Sequence, residues 1–87
     1  MAKYSISFKE SVAKDLRSIS NQDVQRILLR IDTLAVNPRG EGCIKLSGQN
    51  LYRVRQGLFR IIYEIMDDRL VIHVIKVAHR SSVYKDH

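Results

Sequence analysis

The apolar residues of this chain change their spacing twice, and that pattern restricts the possible folds more than any other feature. Residues 3–8 alternate polar and apolar, with Tyr4, Ile6 and Phe8 on one side, as in a half-buried strand. From Phe8, Val12, Leu16 and Ile19 follow at steps of four, four and three, which predicts an amphipathic helix over residues 9–18. Ser20 or Asn21 can cap a second helix, and Asp23 suits its positive N-terminal end. Val24, Ile27, Leu28, Ile31, Leu34 and Ala35 form its apolar stripe. Asn37-Pro38 stops it, because the residue before a proline is pushed out of helical geometry. Gly40, Gly42, Ser47, Gly48 and Asn50 mark residues 39–50 as an exposed connection. Alternation then returns, predicting strands at 51–55, 58–66 and 69–78, with two-residue turns at Gln56-Gly57 and Asp67-Asp68. An N-terminal strand, a helical hairpin and a three-stranded antiparallel meander make an α+β domain whose helices pack on one sheet face.

A chain of 87 residues holds one core, so residues 1–87 are expected to be a single domain. One cysteine, Cys43, cannot form an internal disulfide and argues against a disulfide-stapled secreted scaffold. There is no basic-then-apolar leader, and no apolar run approaches the roughly 18 residues of a membrane span. A cytoplasmic protein without a membrane partner is expected.

Charge is unevenly spread. The net value is +6, yet residues 1–36 carry six cations and four anions. Residues 42–63 hold Lys45, Arg53, Arg55 and Arg60 and no acid at all, which suits a polyanion, nucleic acid before an acidic protein. A turn at 56–57 would pair Arg53 with Arg60 across the first hairpin. Strand alternation puts Tyr52, Val54, Phe59, Ile61, Tyr63, Ile65, Leu70, Ile72 and Val74 on the helix side. The open side then holds Arg53, Arg55, Arg60, Glu64, His73 and His79, with Ile62, Val71, Ile75 and Val77 between them. Like charges facing each other across a strand pair are unfavourable, so the cluster calls for an external anion. The forked guanidinium suits phosphate.

Three scattered histidines and one cysteine lack the spacing of a zinc site, and no glycine loop opens a helix to cradle phosphates. Neither a metal nor a cofactor is expected. Arginines, histidine and tyrosine remain, an inventory that fits metal-free cleavage of RNA by its own 2′-hydroxyl, with cations stabilising the charged transition state. His79 belongs to a residue type that titrates near neutrality, and Tyr84 could stack on an unpaired base.

Two segments carry a resemblance. Lys45-Leu46-Ser47-Gly48 with Leu51-Tyr52-Arg53-Val54-Arg55-Gln56-Gly57-Leu58-Phe59-Arg60-Ile61-Ile62-Tyr63 resembles the central signature of the RelE/ParE superfamily of toxin–antitoxin toxins. Val77-Ala78-His79-Arg80-Ser81-Ser82-Val83-Tyr84 is similar to its C-terminal signature. The RelE branch implies a ribosome-dependent endoribonuclease that cuts mRNA in the decoding site and leaves a cyclic phosphate. By that resemblance Arg60 stabilises the transition state, Arg80 acts as general acid or phosphate clamp, and Tyr84 stacks on a base. Lys45, Arg53 and Arg55 would bind RNA. The RelE pattern has lysines at the positions of Arg53 and Arg55, one of them a proposed base. Arginine stays protonated, so His79 is the expected replacement, as histidine serves there in several relatives. The resemblance also implies a small antitoxin that wraps the basic surface or displaces the C-terminal tail. The toxin itself would be monomeric, and hetero-oligomeric with its antitoxin. Two alternatives stay open: a ParE-like protein-binding toxin that inhibits DNA gyrase, and an inactive relative kept for binding its antitoxin.

Overall fold

The computed structural model describes residues 3–46 and 50–81, so Ser47-Gly48 and Tyr84 lie outside the described residues. The elements are β1 (Ser5–Phe8), α1 (Glu10–Arg17), α2 (Asn21–Leu34), β2 (Ile44–Lys45), β3 (Leu51–Gln56), β4 (Phe59–Met66) and β5 (Val71–His79). The expected α+β order is present. The sheet has five strands in the order β1-β5-β4-β3-β2.

Its edges differ from expectation. β1 lies parallel to β5, with Ile6 beside Ile72, so the sheet is mixed rather than wholly antiparallel. A helical connection can return a chain to either edge of a sheet, and local alternation does not say which. β2 sits inside the stretch expected to be a connection, pairing Ile44 with Arg53 and Lys45 with Tyr52. Two residues are too few to show a period.

The helices bury the stripe that their spacing specifies. Val12, Ile27, Ile31 and Leu34 pack against Val54, Ile61, Tyr63, Ile65, Ile72 and Val74, all at most 1% exposed. Ser20 caps α2 by accepting the Asp23 N–H at 3.3 Å. The Tyr63 hydroxyl donates to the Pro38 carbonyl at 2.6 Å. Burial first, and the neighbouring Cys43 second, raise the Tyr63 pKa well above that of an ordinary phenol, so the hydroxyl stays a donor.

Both meander turns differ from the expected ones. The first is Gly57-Leu58, since Gln56 pairs with Phe59. Of the two central residues only Gly57 has a positive φ, 59°, the pattern of a type II′ turn with glycine first. A hairpin turn at Gln56-Gly57 of type I′ would have forced Gln56 into left-handed geometry as well. The second is a four-residue loop, residues 67–70, because Met66 pairs with Val71. It closes with Leu70 at φ 53°, a conformation that costs a non-glycine residue about 1–2 kcal/mol. Leu70 is therefore 41% exposed in the turn instead of lying in the core. The Asp67 carboxylate ties this loop down, accepting from the Tyr4 hydroxyl at 2.6 Å and from both terminal nitrogens of Arg39.

The largest departure lies in β5. Tyr63 pairs with Val74, but the next pair is Ile62 with Lys76, so the strand bulges at Ile75. Every residue after the bulge changes sides relative to plain alternation. Val77, expected on the open face, pairs with Ile61 and is 3% exposed in the core.

Candidate nucleic-acid interface

The register organises the open face into rows that cross the sheet. One row is Arg55, Arg60 and Ala78, and the next is Arg53, Ile62 and Lys76. Farther along come Leu51, Glu64, His73 and Ser7, where the Ser7 Oγ and His73 Nδ1 lie 2.7 Å apart. Arg60 thus faces Arg55, not Arg53 as expected, because the turn moved by one residue. A two-residue hairpin closes on a hydrogen-bonded pair, so Arg55 and Arg60 form the tighter, non-hydrogen-bonded kind. Their Cα atoms come within about 4.5 Å at such a site, which brings two like charges closer than most other arrangements in a sheet.

Three other arginines have carboxylate partners, Arg26 with Asp23, Arg39 with Asp67 and Arg69 with Asp68, whereas Arg17, Arg30 and Arg80 form no such pair among the described residues. Among the described residues, Arg53, Arg55 and Arg60 have none. The Nε atoms of Arg53 and Arg60 are also shielded from solvent and lack a hydrogen-bond partner. A desolvated donor left unpaired costs about 1–3 kcal/mol, which an incoming anionic oxygen would recover. The sequence carried no signal of this; it follows from how the strands stack the arginine stems.

The bulge decides which C-terminal residue joins the cluster. His79 pairs with Phe59 on the helix side, and their rings meet edge to face at 5.5 Å. The expectation that His79 shares the arginine side by alternation is therefore overturned. Its Nδ1 accepts the Ser81 N–H at 3.1 Å, with the Ser81 hydroxyl at 2.7 Å, so in the neutral ring Nε2 carries the proton. Arg80 is the first residue past β5, two after Ala78, so continued alternation assigns it to the arginine side. Its N–H continues the ladder to the Leu58 carbonyl at 2.7 Å, and its side chain is exposed. Lys45, opposite Tyr52 on β2, belongs by register to the helix side and does not join the cluster. Lys76 is on the arginine side by register, but its ammonium is held by Asp15 at 3.1 Å. Tyr84 lies outside the described residues.

The model of the ParE toxin of type II toxin–antitoxin systems (parDE) matches residues 6–84. The chain belongs to the ParE/RelE toxin family. It is 34% identical to a Methanocaldococcus jannaschii protein named toxin RelE1, over 97% of this chain and 98% of the relative. To the mRNA interferase toxin RelE of Escherichia coli K12 it is 27% identical, over 95% of this chain and 92% of the relative. The RelE chain of the archaeal RelE–RelB complex from Pyrococcus horikoshii superposes with a TM-score of 0.81 at 30% identity. That match covers 95% of this chain and 100% of the other. The family's architecture accounts for the strand–hairpin–meander order and leaves the arginine face clear of the helices.

Proposed function

We propose that this family member is the toxin of a type II toxin–antitoxin system and cleaves mRNA on the ribosome. The observation that carries the reading is the gathering of Arg53, Arg55 and Arg60 on one sheet face with no carboxylate pairing them among the described residues, and Arg80 follows directly past the end of β5. Fixed positive groups aimed at one point stabilise the charge that builds on a phosphodiester when the 2′-hydroxyl attacks the adjacent phosphorus. Arg60, half-buried and central in its row, is placed for that charge, while Arg53 and Arg55 hold flanking phosphates. Arg80, at the end of the same surface, clamps phosphate or serves the leaving 5′-oxygen. Tyr84, by the family pattern, stacks on a base.

No arginine removes a proton in water. Glu64, the acid on this face, lies about 13 Å along β4 from Arg60 at about 3.3 Å per residue. The cluster therefore supplies charge and orientation rather than a base, and such a site works best on RNA that is already bent for in-line attack. A ribosomal decoding site supplies such RNA, which is why ribosome dependence fits this geometry.

RelE chains of relatives are found with RelB in the Pyrococcus horikoshii and Methanococcus jannaschii complexes. A cognate antitoxin with acidic segments would neutralise the same face here. The family model bears the ParE name, so gyrase inhibition is the second reading. The deciding experiment adds the purified protein to ribosomes carrying a defined mRNA, maps new 5′ ends, and runs a gyrase supercoiling assay beside it. Cuts within the decoding-site codon support the reading. Intact mRNA together with loss of supercoiling would replace it with the second.

A further inference from the structure

Val74 and Val77 both turn their backbone toward the outer edge of β5. The Val74 carbonyl accepts the Lys9 N–H at 2.8 Å, the last main-chain bond between the β1 segment and β5. The Val77 N–H meets the Asp15 carboxylate at 3.1 Å. In a regular strand, residues that face one edge are an even number apart. These are three apart, and the bulge supplies the difference. Unbulged, the N–H of Lys76 would face α1, and that of Val77 would turn inward to β4. The Asp15 bond to the Val77 N–H therefore belongs to the bulged register.

Asp15 is also an unusual residue for its place. It stands in the last turn of α1, between Lys14 and the final residue Arg17, where the helix's negative end disfavours an acid. Its side chain is 13% exposed, with one oxygen on Val77 and the other on Lys76. β1 has left the sheet at this level, so Asp15 supplies the acceptor that a strand would have given. The consequence reaches the site. In the bulged register Ala78 lies beside Arg60, and Arg80 rather than His79 follows on the arginine side.

We infer that Asp15 is a positioning residue for RNA cleavage: its carboxylate, by holding the β5 bulge, selects the register that places Arg80 beside Arg60. This rests on the cleavage reading above. The test compares Asp15→Ala, Asp15→Asn and Lys76→Met in single-turnover cleavage on mRNA-loaded ribosomes, together with amide exchange along β5. Asp15→Ala should lower kcat by about 10–100-fold, the scale of a misplaced reacting group, with KM for ribosomes within about threefold of wild type. Asparagine keeps an acceptor for the Val77 N–H, and methionine at 76 leaves that bond intact. Both should stay within about threefold of wild-type kcat. Exchange should quicken from Val77 to Arg80 in Asp15→Ala and not at Ile61 or Tyr63. An Asp15→Ala protein with wild-type kcat and unchanged exchange would overturn the proposal, as would equal losses in Asp15→Ala and Lys76→Met. If wild type cuts no mRNA, the cleavage reading fails first. The exchange comparison then still decides whether Asp15 holds the register, and unchanged protection at Val77 to Arg80 would refute it. If Asp15→Ala does not fold, wild-type kcat and exchange in Asp15→Asn support the proposal, and loss of kcat there refutes it.

Discussion

Arg60→Met keeps most of the arginine's apolar stem and removes its charge and its unpaired Nε. In the folded protein Arg60 faces Arg55 at a close cross-strand site, and like charges there cost a few tenths to about 1 kcal/mol. The shielded Nε without a partner adds to that cost. We therefore expect a stability gain of at least about 0.5–1 kcal/mol from the charge term alone, a rise in Tm of at least about 2–8 °C for a domain of this size. The gain should shrink in 1 M salt, where the Debye length falls to about 3 Å. Cleavage should move the other way, losing about 10²–10³-fold, as when one preorganised donor is removed from a developing anion. Thermal melts at low and high salt, paired with single-turnover cleavage on ribosomes, measure both signs in one variant. A fall in Tm of several degrees would show Arg60 to be structural. A stable variant that cuts at the wild-type rate would refute the arginine-face mechanism.

Three further outcomes follow from the same geometry. His79→Gln should slow cleavage less than about tenfold, because the register sets His79 beside Phe59; a loss of about 10²–10⁴-fold, typical of acid–base catalysts, would return histidine to the chemistry. Asp67 has its pKa lowered from 3.8, first by its hydrogen bond from Arg39 and then by that from Tyr4. A lowered folded value means that its contribution is present above the unfolded pKa and lost as pH falls through the folded one. The Tm advantage of wild type over Asp67→Asn should thus be present near neutrality and vanish at strongly acid pH, and an advantage independent of pH would count against the ion pair. Leu70→Asn should raise Tm by a few degrees, since asparagine tolerates the left-handed φ of 53° better than leucine; a lower Tm would mean that the half-exposed leucine packs more than it strains.

How much of this protein was legible in its sequence depends on whether the information is local. Apolar spacing at Val12, Ile27, Ile31 and Leu34 located the helices and their buried sides, because a helix must turn such residues one way. Alternation from Tyr52 to Ile65 located the core face of β3 and β4, and it put Arg53, Arg55 and Arg60 together on the other. Even the misplaced first turn left that grouping unchanged, because moving a hairpin by one residue in each strand preserves the faces. The charge cluster was thus legible from composition and period alone.

The tertiary structure decided what depends on a partner. Glycine's tolerance of positive φ chose Gly57 as the first turn residue, so Arg55 and not Arg53 came to face Arg60. The parallel pairing of β1 with β5, and its end at Val74, left an edge that Asp15 from α1 reaches. That contact lies sixty-two residues away in sequence, and no local pattern announces it. The bulge it accompanies puts His79 beside Phe59 and leaves Arg80 next in line on the arginine side. Alternation read along one strand cannot detect such an exchange, because a single extra residue reverses every side chain after it.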